Sequence, residues 1–155
     1  MTFRLSDACP KHKSSFLKMI DEKKWEGQDF NRLVKDFVIQ AGCADLEDGS
    51  IQAEYWIDAE IVDSLGHQFG ALGMGRDNNA AKKSANCQFY IVSNEKGVHR
   101  LDGDYTIFGQ LIDGQDVLKK INMSIHSNTD SIEDLPFQIS RVELDESHSN
   151  LDLYR

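Results

Sequence analysis

The chain has 155 residues, 40% of them hydrophobic, and a formal net charge of -9 from 26 acidic against 17 basic side chains. That size suits a single domain over residues 1-155 with one substantial core. The negative charge repels a nucleic-acid backbone, and no apolar run has the length of a membrane-spanning helix or the shape of a signal peptide. No nucleic acid and no membrane insertion are therefore expected. The chain as it stands reads as cytoplasmic, or as exported if an upstream segment has been removed. Cys9, Cys43 and Cys87 are odd in number and lack C-x-x-C spacing, which argues against a disulfide framework and a zinc site and for small, partly buried thiols. The five histidines are scattered singly, so no metal and no cofactor are expected.

Two prolines and eleven glycines predict short strands joined by turns, a mainly β fold. In chain order, Phe16, Leu17, Met19 and Ile20 recur at helical spacing after Pro10 and stop before Gly27, predicting a first helix. Strands are predicted over Arg32 to Val34, Phe37 to Gln40, Ile57 to Val62, Gly70 to Gly75, Phe89 to Val92 and Tyr105 to Leu111. Asp113 to Ile121 reads as a second helix, with lysines in its last turn opposing the helix dipole. A closing strand is predicted over Phe137 to Leu144, and 146-155 is a polar tail. The acidic run Asp45 to Asp48 reads as a solvated turn, lacking the ligand spacing of a calcium loop. Asn122-Met-Ser124 is a chance-level glycosylation sequon, and the glycines of 70-75 do not follow the order of a nucleotide-binding loop.

Three blocks in order carry a specific likeness: Phe30-Asn-Arg-Leu-Val-Lys-Asp-Phe-Val-Ile-Gln-Ala-Gly42, Gly73-Met-Gly-Arg76 through Ser84-Ala-Asn-Cys-Gln-Phe-Tyr-Ile91, and Leu101-Asp-Gly-Asp-Tyr-Thr-Ile-Phe-Gly109. With Cys9-Pro10-Lys11 and Phe16-Leu17 ahead of them, the sequence resembles the cyclophilin-type peptidyl-prolyl cis-trans isomerases over nearly all of residues 3 to 145. The details of Met74-Gly-Arg76 and Tyr105-Thr-Ile-Phe resemble bacterial members more than eukaryotic ones. The resemblance implies a closed eight-stranded antiparallel barrel with two capping helices and an external groove that holds proline. It assigns catalysis to Arg32 and substrate binding to Phe37, Val38, Gln40, Gly75, Arg76, Gln88, Tyr90, Arg100, Leu101 and Tyr105. The implied partners are proline-containing peptides and unfolded protein clients, met by a monomer.

The chemistry asked of those residues is consistent with their types. Rotating an X-Pro bond breaks amide resonance against a barrier of about 18 to 20 kcal/mol, and in the twisted state the proline nitrogen regains a lone pair. A permanently charged guanidinium, Arg32, can donate to that lone pair only as it forms. Phe37, Val38, Tyr90 and Leu101 would make an apolar slot for the ring, while Gln40 and the Arg76 backbone N-H hold flanking carbonyls and Gln88 supports Arg32 or Gln40.

Four features depart from the family pattern. Asn31 stands for a histidine. Val38 stands for a longer methionine, a loss of about 1 kcal/mol in binding. Arg100 stands for a tryptophan or histidine, which implies weak cyclosporin binding. The N-terminal strand is short, and an incomplete barrel would expose an unpaired edge. The alternative to an active isomerase is a catalytically weak module of the same fold that only binds proline-containing segments. A hydrolase finds no support, since no serine or cysteine sits in a nucleophile motif with a placed histidine.

Overall fold

The computed structural model describes residues 1-125 and 137-145. The chain opens with β1 (Thr2–Leu5) and α1 (Pro10–Asp21), continues through β2 (Arg32–Leu33), β3 (Val38–Gly42), β4 (Trp56–Ile57), β5 (Ala71–Met74), β6 (Ser84–Ala85) and β7 (Gln88–Val92), and ends with β8 (Ile107–Asp113) and α2 (Gln115–Ser124). It is mainly β with two helices, as expected. The strands form an antiparallel six-stranded sheet in the order β1-β8-β5-β7-β3-β2 and a separate pair, β4-β6. The expected closed eight-stranded barrel is thus corrected: among the described residues β1 and β2 are the two edges of an open sheet. The short N-terminus still gives β8 a partner over Thr2 to Leu5.

Several elements differ in extent from the sequence reading. Of the strand predicted from Ile57 to Val62 only Ile57 is paired, with Ser84, next to Trp56 with Ala85. The strand predicted over Phe137 to Leu144 reduces to short pairing of Gln138 with Asp29, flanked by backbone bonds from Ile139 and Phe137 to residues 27-30. The tail, 146-155, lies outside the described residues.

The buried core lies on one face of the sheet, where Ile39, Ala41, Phe89, Ile91, Leu72 and Phe108 meet Phe16 and Met19 of α1. Because side chains alternate along a strand, Val38, Gln40, Tyr90 and Val92 point to the other face, and they too are buried. That second layer consists of Val38, Ala71, Tyr90, Val92, Val98 and Ile107.

α1 starts on Pro10, whose fixed φ suits the first helical turn. Its free N-H groups are capped from afar: Lys11 and His12 donate to the two oxygens of the Glu60 carboxylate, both at 3.0 Å, where the positive helix end favours an anion. α2 grips the turn before β3. Asn122 accepts from the Asp36 backbone N-H at 2.9 Å and donates to its carboxylate at 2.7 Å, holding Asp36 at φ 54 and aiming the next residue, Phe37. The sequon asparagine is therefore buried and structurally occupied.

One expectation fails outright. Cys43 and Cys87 form a disulfide, Cα to Cα 5.5 Å, leaving only Cys9 as a buried free thiol. The pairing of Gly42 with Gln88 in β3 and β7 brings the two neighbouring cysteines side by side across 44 residues of chain. Local spacing rules do not register such a contact.

Candidate active site

The sheet register assembles a row across four strands on the outer face. Arg32 of β2 lies opposite Gln40 of β3, Gln40 opposite Tyr90 of β7, and Tyr90 opposite Gly73 of β5. Directly opposed residues share a face, so one arginine, one amide and one aromatic ring stand in line. Asn31 donates to the Gly42 carbonyl at 2.6 Å, tying the residue beside Arg32 to the end of β3.

Around this row the apolar residues gather. Val38 and Tyr90 pack with the partly buried Phe37, Leu101 and Tyr105, and the Tyr90 and Tyr105 rings meet edge to face at 6.1 Å. Three guanidiniums flank the patch. Arg32 lies 5.8 Å and Arg100 4.7 Å from the Phe37 ring centre, and Arg76 lies 4.5 Å from that of Tyr105. Arg76 also donates to the carbonyls of Asp104 and Asp77, both at 2.9 Å.

Two assigned residues do something other than expected. Gln88 turns away from Arg32 and Gln40 and donates to the Cys43 carbonyl at 2.9 Å and the Asp45 carboxylate at 2.7 Å; opposite Gly42 instead of Gln40, it is one pleat away from them. Gly75 spends its backbone N-H on Gln88 and its carbonyl on Ala85. Its contribution is space, since a Cβ there would sit 1.9 Å from the Gln88 side-chain oxygen.

Beneath the row lies a network whose central histidine the sequence reading did not single out. The Tyr90 hydroxyl meets His67 Nε2 at 2.8 Å, and His67 Nδ1 meets Asp102 at 2.7 Å. Asp102 also takes the His67 backbone N-H at 2.8 Å and His99 Nδ1 at 2.9 Å. An acceptor carboxylate at Nδ1 leaves Nε2 of the neutral ring to accept, so Tyr90 donates. Burial lowers the His67 pKa below its ordinary value against the pull of Asp102. Burial also pushes the Tyr90 hydroxyl well above its usual range. Burial alone would raise Asp102, but the donors from His67 and His99 outweigh it and bring it down to about 2. Gly73 makes room for this network: a Cβ there would lie 2.2 Å from the Tyr90 ring. Tyr90 and Asp102 each fall within a matched block, whereas His67, 23 residues before Tyr90, lies in none of them.

A second network has the same shape. Ser84 Oγ lies 3.0 Å from His12 Nε2, whose Nδ1 lies 2.7 Å from Glu60, so a serine does face a placed histidine and a carboxylate. Ser84 is only 1% exposed and offers no approach to a substrate. Among the described residues, no three histidine, cysteine or acidic side chains are grouped to hold a metal ion, and no helix is long and apolar enough to cross a membrane.

An arginine beside an aromatic and apolar patch on a sheet face sets a cationic donor next to a surface suited to an apolar ring. The family follows from comparison. Residues 1–144 match the family described as cyclophilin type peptidyl-prolyl cis-trans isomerase/CLD, and the chain belongs to that family. A probable peptidyl-prolyl cis-trans isomerase of Brucella abortus is 30% identical over 129 residues, 74% of this chain and 62% of that protein. Peptidyl-prolyl cis-trans isomerase B of Saccharomyces cerevisiae is 32% identical over 124 residues, 73% of this chain and 57% of the yeast protein. The chain thus spans about three fifths of the length of these curated relatives. A crystal structure of a Cryptosporidium parvum cyclophilin type isomerase, in the presence of the dipeptide Ala-Pro, superposes with a TM-score of 0.67 at 27% identity, covering 85% of this chain and 84% of that one.

Proposed function

We propose that the chain is a peptidyl-prolyl cis-trans isomerase that accelerates rotation about X-Pro bonds in flexible or unfolded segments, non-covalently and without a cofactor. The observation that carries this reading is the cross-strand row Arg32, Gln40 and Tyr90 beside the Phe37, Val38, Leu101 and Tyr105 cluster. The pyrrolidine ring rests against that cluster. Arg32 donates to the proline nitrogen as its lone pair localises, stabilising the twisted state more than either planar one. Gln40 and the Arg76 backbone N-H hold the flanking carbonyls, so the bond turns between fixed ends. Gly75 and Gln88 shape the groove wall. On this reading the protein acts as a monomer on proline-containing clients, and with Arg100 where an indole would stand it binds cyclosporin weakly.

One observation favours a second reading, a proline-binding module with slow turnover: Val38 and Tyr90 are only 3% and 4% exposed, so the slot is shallow. Exchange NMR on a short X-Pro peptide separates the two. Wild type is expected to accelerate exchange, and Arg32→Ala to lose about 100-fold of that rate while still binding peptide. Binding without acceleration by wild type would leave the module.

A further inference from the structure

Beside the proline slot lies a cavity of about 600 Å³ whose lining includes Arg32, Val34, Asp36, Phe37, His99 and Arg100. Two arginines against the single carboxylate of Asp36 set its charge against that of the molecule. The chain carries a net -9, yet three of its six arginines, Arg32, Arg76 and Arg100, flank the slot.

Arg100 stands out among them. It is exposed on a 3-10 turn, His99–Leu101, and its guanidinium lies over Phe37 at 4.7 Å. Stacking orders the guanidinium and occupies its face, while the N-H edge remains able to donate. The nearby acids are committed elsewhere: Asp36 to Asn122, Asp102 to His67 and His99, and Asp104 to Lys82. Among the described residues no carboxylate pairs with Arg100.

We infer that Arg100 forms a subsite for an anionic side chain within two residues of the substrate proline, so that acidic X-Pro segments are the preferred clients. This rests on the reading that Phe37 lines the proline slot. Phe37 is then the wall shared by slot and subsite. Consecutive Cα atoms are about 3.8 Å apart, so a carboxylate or phosphate one or two residues from the proline can reach across that wall. Two parallel N-H donors suit either anion.

The test uses one short X-Pro peptide synthesised with Glu, Gln, Lys or phosphoserine beside the proline, on either side, titrated into isotopically labelled protein by NMR with isomerisation measured in parallel. Wild type is expected to bind the Glu peptide about fivefold more tightly than the Gln peptide, with Lys weakest. Arg100→Gln should level the series, Arg100→Glu should invert it, and 0.5 M salt should flatten it by screening. Phosphoserine binding tighter than Glu assigns the subsite to phosphate, and the reverse assigns it to carboxylate. Equal affinities in wild type, or a preference that survives in Arg100→Gln, would overturn the subsite. A charge preference in binding without acceleration of any peptide would keep the subsite and sink the isomerase.

Discussion

His12 and His67 are wired in the same way in two different places. Each is fully buried, each gives Nδ1 and its own backbone N-H to one carboxylate, and each meets a hydroxyl at Nε2. The carboxylate is Glu60 in one case and Asp102 in the other, and the hydroxyl is that of Ser84 or Tyr90. What separates them is the carrier of the hydroxyl. Ser84 belongs to a two-residue strand at the foot of α1, whereas Tyr90 is the ring in the middle of the groove row. A serine, histidine and carboxylate in sequence is therefore architecture where nothing can reach the serine. On the proposed reading the same wiring serves the site, because there the hydroxyl anchors a ring that faces the substrate.

Removing each histidine breaks the pair most severely. His12→Ala should cost about 3 kcal/mol in urea unfolding, because it opens a cavity, leaves the buried Ser84 hydroxyl without its partner and takes one donor from Glu60, which keeps its two backbone N-H groups, yet leave isomerisation per folded molecule unchanged. His67→Ala should cost a comparable amount and also lower kcat/KM, since Tyr90 loses its anchor. Equal rate losses in the two variants would erase the distinction. Gly73→Ala sharpens it from the other side. The added Cβ collides with the Tyr90 ring and should cost about 2 kcal/mol through overpacking. Combining it with Tyr90→Leu should recover part of that loss, as a double-mutant cycle would show.

The smallest effect is in pH. Burial holds both histidines below their ordinary pKa, in each case against a carboxylate that pulls the other way, so both are neutral in the native state. Below pH about 6.5 the unfolded chain takes up protons that the native histidines refuse. Stability is then full above that pH, falls as pH drops by roughly 1 kcal/mol per unit for each histidine, and levels once the native rings protonate. Replacing His67 with Gln should halve that slope in urea midpoints measured from pH 7 to 5, and an unchanged slope would refute the assignment. Asp102, brought down to about 2, contributes above pH about 4 and loses that contribution as pH falls from there toward 2.

Much of the scaffold was legible in the sequence because it depends on runs of residues. Pro10 and the apolar spacing to Ile20 marked α1, and the apolar stretches around Ile39, Leu72, Ile91 and Phe108 marked the long strands. The row of Arg32, Gln40 and Tyr90 was named from motif blocks, and the sheet register shows how those blocks come to one face. What escaped depends on contacts between distant residues. β6 is a serine and an alanine, too short to show a period. The stretch after Ile57 is apolar at Ile61 and Val62 but turns instead of pairing. The Cys43 and Cys87 bond, the two histidine networks and the turn of Gln88 toward Cys43 and Asp45 all follow from which strand lies beside which, and a one-dimensional pattern carries no trace of that.

Gly73 and Tyr90 also constrain the history available to this groove. At position 73 any side chain meets the ring, so in the present backbone a larger residue there is costly while the tyrosine stays and is relieved once a smaller residue stands at 90. The two positions are coupled, and the cheaper order of change takes the ring away first. Arg100, exposed on its turn, carries no such coupling to the groove floor.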